Sequence, residues 1–306
     1  MSLVPGRQLL AEANEKRRAV GAFNFNNLEF LQAIVDAADE TGLPVLVATS
    51  EGAIRYAGMD SIVALSRAAA SRTAVPLCLH LDHGKDLDVI RRCIEFGYTS
   101  VMIDASDLPF EENVEKTKRV VEMARPRGVS VEAELGRLQG IEDDVSVEER
   151  DAVLVDPDRA AEFVERTGVD SLAPAIGTSH GAFKFKGEPR LDFDRLAAVK
   201  EKTGGLPLVL HGASSVPETV LEKCLAAGVE VSGARGVPEE QLRRAIENGI
   251  NKVNVDTDLR LAFVAEVRTV LNEHPDRFDP REYLGPARDA VRELVAGRIR
   301  VLGRVE

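Results

Sequence analysis

The chain has 306 residues, 44% of them hydrophobic and 29% charged, a composition typical of a globular protein with a large core. Its formal net charge of -12 at pH 7, from 39 basic and 51 acidic residues, argues against a broad surface for nucleic acids or anionic membranes. The N-terminal sequence lacks the apolar region of a signal peptide, and no stretch reaches the ~20 apolar residues that span a bilayer. The three cysteines, Cys78, Cys93 and Cys224, form no CxxC pair, and we expect reduced thiols in a cytoplasmic protein.

Short apolar segments alternate with longer amphipathic segments along the chain. The predicted strands lie at 19–24, 44–50, 76–82, 99–104, 129–135, 169–177, 206–212 and 250–256. The predicted helices lie at 27–42, 86–96, 110–126, 157–167, 191–203, 216–227 and 257–273, with a further amphipathic helix near the C-terminus. Because the strand segments are apolar throughout rather than at alternate positions, we expect protein to cover both faces of the sheet.

This succession of about eight strand–helix units predicts an α/β protein, a parallel (β/α)8 TIM barrel with extra C-terminal helices. A doubly wound open sheet gives the same alternation, so the pattern alone leaves both architectures open. No shift in composition separates two regions, and we expect residues 1–306 to form a single domain. The longest interruption, residues 136–156, is polar and acidic and predicts a mobile loop beside an active site.

Polar side chains cluster at the ends of the predicted strands. They are Asn24, Ser50, Asp82, His83, Asp104, Glu134, His180, His211, Asn254 and Asp256. In a parallel barrel the carboxyl ends of all strands meet at one mouth, where catalytic residues gather. We therefore expect these side chains to lie together although they are far apart in sequence.

Four of the five histidines lie in or just after predicted strands. Three histidines from separate strands can form most of a tetrahedral zinc site and leave one position open for substrate, and we select His83, His180 and His211. His80 lies two residues before Asp82, one layer deeper, and is interpreted as a supporting or core histidine. Each histidine alone is more often structural, but the set together indicates a metal site.

Asp104 and Glu134 also end strands and allow two interpretations. Asp104 can be a helix N-cap and Glu134 a member of a buried ion pair. As oxygen ligands, the two carboxylates can instead hold a second or alternate metal position.

Two segments have the small residues that let backbone N–H groups approach a phosphate, and the second immediately precedes a predicted helix. The first, "IGTSHGAFKFKG", contains Gly177, Gly181 and Lys184, and the second, "LHGASSVPE", contains Gly212, Ser214 and Ser215. A third segment, "NVDTDLR", places Asn254, Asp256 and Thr257 at a strand end with Arg260 one turn later, which suits a polyhydroxy phosphate.

Seven motifs taken together resemble the class II, metal-dependent fructose-bisphosphate aldolases of the fructose/tagatose-bisphosphate aldolase family. They are "AFNFNN", "HLDHGKD", "SVMIDASDLPFEEN", "VEAELGRLQG", "AIGTSHGAFKF", "LVLHGASSVP" and "NKVNVDTDLRLAF". The motifs occur in the family's order from near residue 5 to the end of the chain, with matching intervals. Their agreement makes the resemblance specific.

The resemblance implies a lyase of glycolysis and gluconeogenesis that reversibly cleaves fructose 1,6-bisphosphate into dihydroxyacetone phosphate and glyceraldehyde 3-phosphate. It implies a catalytic Zn2+, replaceable by another divalent transition metal, on His83, His180 and His211. A monovalent cation against backbone carbonyls near Gly181 and Gly212 also belongs to the family pattern. The expected partners are the sugar bisphosphate and further copies of the chain in a homodimer or homotetramer, with no nucleic acid or membrane.

The resemblance also implies roles for individual residues. Asp82 would be the acid/base at the C4 hydroxyl, and Glu142 the carboxylate that exchanges the C3 proton. Asp104 and Glu134 match alternate metal ligands. The positions that match substrate contacts are Asn24, Ser50, Gly181, Lys184, Gly212, Ser214, Asn254, Asp256 and Thr257. Arg260 and Arg281 would face the other phosphate.

Four alternatives remain at this point. A tagatose-1,6-bisphosphate aldolase would use the same residues, because the two sugars differ only in configuration at C4. A Schiff-base aldolase would use Lys252, but would leave the three histidines without a role. A metal-dependent hydrolase is suggested by His80 and His83, but the first predicted strand lacks the usual HxH. A non-catalytic sugar-phosphate-binding barrel is disfavoured because Asp82 and Glu142 are both present.

Overall fold

We describe a computed structural model of the chain. The described residues are 3–136, 139–142, 145–147, 154–177, 179–180, 191–231 and 237–305, with backbone alone described at 139–142, 145–147 and 179–180. The strands are β1 (Val20–Asn24), β2 (Val45–Thr49), β3 (Leu77–Gly84), β4 (Ser100–Ile103), β5 (Ser130–Leu135), β6 (Gln139–Glu142), β7 (Val145–Val147), β8 (Ser171–Pro174), β9 (Ser179–His180), β10 (Leu208–Leu210) and β11 (Ile250–Val255).

Eight of these strands form a closed parallel barrel in the order β1-β11-β10-β8-β5-β4-β3-β2. The ring closes through the pairing of β1 with both β2 and β11. The predicted (β/α)8 barrel is therefore confirmed, and the open-sheet alternative is excluded. In this ring β3 and β10 face each other from opposite walls, which places their carboxyl ends across the mouth from one another.

Twelve α-helices surround the barrel in the described part of the chain. They are α1 (Gly6–Glu15), α2 (Leu28–Thr41), α3 (Glu51–Ala57), α4 (Met59–Arg72), α5 (Leu87–Phe96), α6 (Phe110–Ala124), α7 (Pro157–Thr167), α8 (Phe193–Lys202), α9 (Glu218–Ala226), α10 (Glu239–Glu247), α11 (Thr257–Glu273) and α12 (Pro280–Gly303). Helix α2 shows how local sequence sets these bounds: the Asn27 side chain accepts a hydrogen bond from Phe30 N at 3.2 Å, and Gly42 ends the helix at φ 67°.

The strand period of two separates the two faces of the barrel wall. On β3, Leu77, Leu79 and Leu81 face outward into the main hydrophobic core beneath the helices. Cys78, on the opposite face, belongs to a smaller apolar cluster with residues of α1, β1 and β2. Apolar side chains thus fill one end of the barrel interior, whereas polar side chains such as His80 and Asp82 follow along the same inner face.

A small second sheet is separate from the barrel sheet. Strand β6 pairs antiparallel with β7 and parallel with β9. The segment 136–156, predicted as a mobile loop, thus contains two short strands. The backbone of Gly140 is in register with that of His180, so the strands that contain Glu142 and His180 are neighbours.

Helix α12 accounts for the predicted C-terminal extension. It packs against α2 and α11 and buries Val291, Val295, Ile299 and Leu302. Its apolar face is therefore covered by its own barrel. No helix in the described ranges combines the length and apolarity needed to cross a bilayer.

Candidate active site

Two histidines meet across the barrel mouth. His83 is the penultimate residue of β3 and His211 directly follows β10. His83 Nε2 lies 2.9 Å from His211 Nδ1, and the ring centroids are 4.6 Å apart. The structure thus brings together two of the three histidines selected from the sequence.

A backbone irregularity turns His83 inward. Regular alternation would place Asp82 and His83 on opposite faces of β3. The β3–β4 register shifts between Leu81 and Gly84, and His83 adopts φ 46°, a left-handed conformation that is uncommon for a residue other than glycine. Potential ligand atoms of Asp82, His83 and His211 consequently lie within 4.8 Å of one another. Local strain at such a position is typical of functional sites.

The other edge of the His83 ring faces two carboxylates. Its Nδ1 donates to Asp104 Oδ2 at 3.0 Å and lies 4.0 Å from Glu134 Oε2. Asp104 is held in turn by the Ser106 hydroxyl, which donates to Oδ1 at 2.8 Å. Glu134 Oε2 is buried and has no hydrogen-bond partner among the described residues. His83, Asp104 and Glu134 therefore form a second group of candidate ligands that shares His83 with the first.

The carboxylates set the charge of His83. Burial opposes protonation, but the negative charges of Asp82, Asp104 and Glu134 outweigh it and raise the pKa of His83 well above its ordinary value. Burial and the positive charge of His83 lower the pKa of His211. In its protonated form His83 can donate from Nδ1 to Asp104 and from Nε2 to His211 Nδ1.

Three carboxylates, those of Asp82, Asp104 and Glu134, lie around His83. Burial, together with the charge of Asp104, raises the pKa of Glu134 well above its ordinary value. Buried carboxylates and imidazoles that converge in this way favour a bound cation. Glu134 Oε2, which accepts no hydrogen bond within the described ranges, offers a ligand atom. Mixed imidazole and carboxylate donors suit zinc, so the residues present fit a divalent transition metal.

Asp82 is held by two amides. Its Oδ1 accepts from Asn254 Nδ2 at 2.8 Å and its Oδ2 from Asn24 Nδ2 at 3.0 Å. Burial raises the pKa of Asp82, but neighbouring positive charge, that of His83 above all, outweighs this effect and lowers the pKa below its ordinary value. Asp82 is therefore an ionised, oriented carboxylate next to the candidate metal ligands.

Known proteins match the chain over nearly its whole length. The family model described as "Fructose-bisphosphate aldolase class-II" matches residues 4–230 and 231–306. The chain belongs to the class II fructose-bisphosphate aldolase family. It is accordingly a lyase, and the resemblance found in the sequence is confirmed.

Relatives match this class II aldolase chain over nearly its whole length. The fructose-bisphosphate aldolase of Helicobacter pylori (strain ATCC 700392 / 26695) is 53% identical over 302 residues, which cover 98% of each chain. That of Thermus caldophilus is 52% identical over 303 residues, 99% of each chain. Among solved structures, the YdjI aldolase of Escherichia coli K12 superposes with a TM-score of 0.77 at 32% identity, covering 98% of this chain and 97% of that one.

Several residues expected to contact the aldolase substrate have described partners. Ser50 caps α3, where its hydroxyl accepts from Ala53 N at 3.2 Å. The Arg260 guanidinium pairs with Asp256 at 2.7 Å, and Asn254 binds Asp82. Thr257 is the first residue of α11.

The segment between β10 and α9 is fixed by hydrogen bonds from later parts of the chain. Gly212 adopts φ 60°, which favours glycine. Ser214 O accepts from Val237 N at 3.0 Å, and Ser215 N donates to Asp258 Oδ2 at 3.1 Å. The Arg298 side chain of α12 donates to Ser215 O and pairs with Asp258 at 3.3 Å.

Other predicted site residues are not placed by the described contacts. Gly181 and Lys184 lie outside the described residues, and Glu142 and His180 are described in backbone alone. Arg281 is 90% exposed in its side chain and pairs with Asp279, with no described contact to the barrel mouth.

Two buried residues beside His211 have contacts that the sequence reading did not predict. Glu132 accepts a hydrogen bond from His211 Nε2 at 2.8 Å, and it forms an ion pair with Lys252 at 2.8 Å. Glu132 lies two residues before Glu134, and this spacing is the signal that places it on the inner face. Lys252, the alternative Schiff-base nucleophile, is fully buried and bound to Glu132. This arrangement disfavours the Schiff-base mechanism.

Proposed function

We propose that this class II aldolase reversibly cleaves fructose 1,6-bisphosphate to dihydroxyacetone phosphate and glyceraldehyde 3-phosphate with zinc as its metal. The observation that supports the proposal most directly is the ionised Asp82, fixed by two asparagines beside His83 and His211. The names of the Helicobacter and Thermus relatives favour fructose bisphosphate over tagatose bisphosphate.

His83, His180 and His211 would hold the zinc ion, and Asp104 with Glu134 would provide an alternate position around the same His83 ring. When bound, the metal supplies a Lewis acid that polarises the ketose carbonyl and stabilises negative charge that develops beside it. Another divalent transition metal with a preference for imidazole ligands can replace zinc in such a donor set.

Asp82 takes the proton of the C4 hydroxyl during cleavage and returns it during condensation. A general base needs the deprotonated form and a fixed direction, and the surrounding cations and the two amide donors provide both. Asn24 and Asn254 therefore act through Asp82 as well as by contact with substrate. Glu142 is proposed to exchange the C3 proton, from the strand that neighbours that of His180.

The phosphate groups bind at two places. Backbone N–H groups of the segment that contains Gly212 and Ser214, together with Gly181 and Lys184, hold the phosphate of the dihydroxyacetone half. Arg260 and Arg281 face the second phosphate, while Ser50, Asp256 and Thr257 contact the sugar. Remote binding energy of this kind orients the reacting carbons and offsets the repulsion from a chain of formal charge -12.

Three further predictions accompany this function. A monovalent cation binds backbone carbonyls near Gly181 and Gly212. The chain works in the cytoplasm, a proposal supported by three cysteines that are all buried and free. It assembles as a homodimer or homotetramer, which light scattering on eluted protein tests directly.

Metal removal distinguishes this mechanism from the Schiff-base alternative. A chelator such as EDTA should abolish cleavage, and added zinc should restore it. Borohydride with fructose bisphosphate should trap no covalent adduct, because Lys252 is engaged by Glu132. Full activity in chelator combined with a trapped lysine adduct would exclude the zinc mechanism.

The variant Asp82→Ala tests the assigned base. We expect it to retain zinc and bisphosphate binding while turnover falls by about 10²–10⁴-fold, the usual contribution of a general base. Turnover is measured in a coupled assay, and zinc by chelator competition. Asp88→Ala is a matched control, because Asp88 is 82% exposed on α5, and it should leave turnover unchanged. Unchanged turnover in Asp82→Ala would remove Asp82 from the mechanism.

A further inference from the structure

A chain of hydrogen bonds runs through the barrel interior beneath the two facing histidines. Glu132 of β5 and Lys252 of β11 are 2% and 0% exposed. Lys252 Nζ lies 2.8 Å and 3.0 Å from the two carboxylate oxygens of Glu132. Glu132 Oε1 also accepts from His211 Nε2 at 2.8 Å. The ion pair therefore contacts the back of His211, on the side away from His83.

The contacts of Lys252 use all of its protons. A lysine ammonium has three N–H donors and no acceptor. Two donors bind Glu132, and the third binds His80 Nε2 at 3.2 Å. His80 must then accept with Nε2 and donate with Nδ1, which lies 2.9 Å from the Ser100 hydroxyl. His80 therefore holds Lys252 in place by a hydrogen bond, and Lys252 holds Glu132 in place by the ion pair.

The direction of these hydrogen bonds determines which nitrogen of His211 carries the proton. An ionised carboxylate only accepts hydrogen bonds, so the proton of the neutral His211 ring must be on Nε2, against Glu132. The Nδ1 lone pair then points towards His83 Nε2, 2.9 Å away. In the opposite tautomer a nitrogen lone pair would face the Glu132 oxygen at 2.8 Å, which is repulsive.

We propose that Glu132 and Lys252 are positioning residues that hold His211 in the Nε2–H tautomer and offer Nδ1 to the metal. The inference rests on the proposed metal site and explains why a lysine–glutamate pair occupies the barrel interior. Glu132 orients the ring and increases its basicity, as carboxylates behind metal-bound histidines do. Lys252 supplies the charge without which Glu132 would be an unpaired buried anion.

Variants that remove the pair test its positioning role. Glu132→Leu/Lys252→Met deletes both charges and keeps the interior apolar, which preserves folding more often than a single unpaired charge does. Zinc affinity, measured by chelator competition, should fall by about 10–100-fold. Glu132→Gln/Lys252→Met returns a neutral acceptor to His211 Nε2 and should recover most of that loss. Circular dichroism and melting curves confirm that both variants are folded.

The matched control is Lys200→Met. Lys200 is a partly buried lysine that donates to Asn14, Leu206 O and Asn251 and has no described contact with Glu132. Its loss should leave zinc affinity unchanged. Long-range proton–nitrogen spectra of zinc-loaded protein should show His211 protonated at Nε2.

The measurements distinguish failure of the proposed zinc-dependent function from failure of the positioning role of Glu132 and Lys252. If the wild-type protein binds no stoichiometric zinc, the proposed function fails, and the inference fails with it. If the wild-type protein binds zinc but Glu132→Leu/Lys252→Met binds it equally well, the inference alone is overturned. A His211 proton found on Nδ1 would also overturn it.

Discussion

At the scale of single residues, His83 belongs to both groups of candidate metal ligands. One nitrogen faces His211 and the other faces Asp104. Three carboxylates raise its pKa well above the ordinary value. The same negative charge that attracts a metal ion therefore also holds a proton in the metal-free protein, so that metal and proton compete for one ring.

This competition predicts that zinc binding releases a proton. Zinc binds the deprotonated imidazole, so below the raised pKa of His83 each zinc ion must displace about one proton. Apparent zinc affinity should rise with pH until that pKa is passed and then level off. Calorimetric titration at pH 6 in buffers of different ionisation enthalpy measures the proton count.

Asp104→Asn provides the comparison for this titration. It removes one of the negative charges that raise the pKa of His83, so the rise in zinc affinity should end at a lower pH. A wild-type titration that releases no proton at pH 6 would contradict the predicted competition.

Sequence alone predicts the residues of the site whose types are unusual for their positions. Asp82, His83 and His211 are polar groups at the ends of apolar strands, and barrel closure brings them together. The pairing of Glu132 with Lys252 has no such signal, because β5 and β11 are not adjacent and their contact depends on the closed ring. The side-chain position of His180 remains a prediction.

At the scale of elements, the end of β3 determines where His83 points. The register shift beside Gly84 lets Asp82 and His83 share the barrel interior. A Cβ atom added at Gly84 would lie 2.6 Å from Met102 O and 2.8 Å from Leu81 Cδ2. The Met102 carbonyl belongs to the backbone of β4 and cannot move away without distorting that strand, so only glycine fits at position 84.

We therefore expect Gly84→Ala to destabilise the protein by about 1–3 kcal/mol, the usual effect of overpacking, and to weaken zinc binding by displacing His83. Gly297→Ala is the matched control, because a Cβ there meets nothing within 4 Å. In the interior of α12 it should stabilise by roughly 0.5–1 kcal/mol. Urea unfolding measures both variants, and equal effects would show that the space at Gly84 is not limiting.

The eight barrel strands are the most predictable elements, since each lies in a continuous apolar run. The predicted strand 76–82 differs from β3 mainly at its end, where the irregular register continues the strand to Gly84. Helix α4 was not predicted because alanine and serine dominate its sequence and give little contrast between its faces. Strands β6, β7 and β9 have two to four residues each, which is too short for periodicity to reveal them. The partner of β6 on its other side, β9, comes from a distant part of the sequence.

At the scale of the whole molecule, His83 and His211 connect opposite walls of the barrel. His83 is the penultimate residue of β3, His211 directly follows β10, and these strands face each other in the closed ring. A metal bound by both would therefore link segments 128 residues apart in sequence. Any ligand that binds only the folded state stabilises that state by mass action.

Zinc should consequently stabilise the whole protein. At a free concentration of 100 Kd, the free energy of unfolding should increase by about 2.7 kcal/mol. Denaturant unfolding with and without zinc measures the increase. Magnesium at the same concentration controls for general attraction of cations to an acidic chain, and His211→Ala should lose most of the zinc effect. An equal increase in His211→Ala would place the metal elsewhere.

Arg298 connects the C-terminal helix α12 to the segment between β10 and α9. Its guanidinium reaches from α12 to Ser215 O and Asp258, at the segment proposed to hold a phosphate. A bulky C-terminal fusion or a truncation that unfolds the last turns of α12 would break the contacts of Arg298 with Ser215 and Asp258. We therefore expect such a change to raise the KM for the sugar bisphosphate while the melting temperature of the barrel stays nearly unchanged.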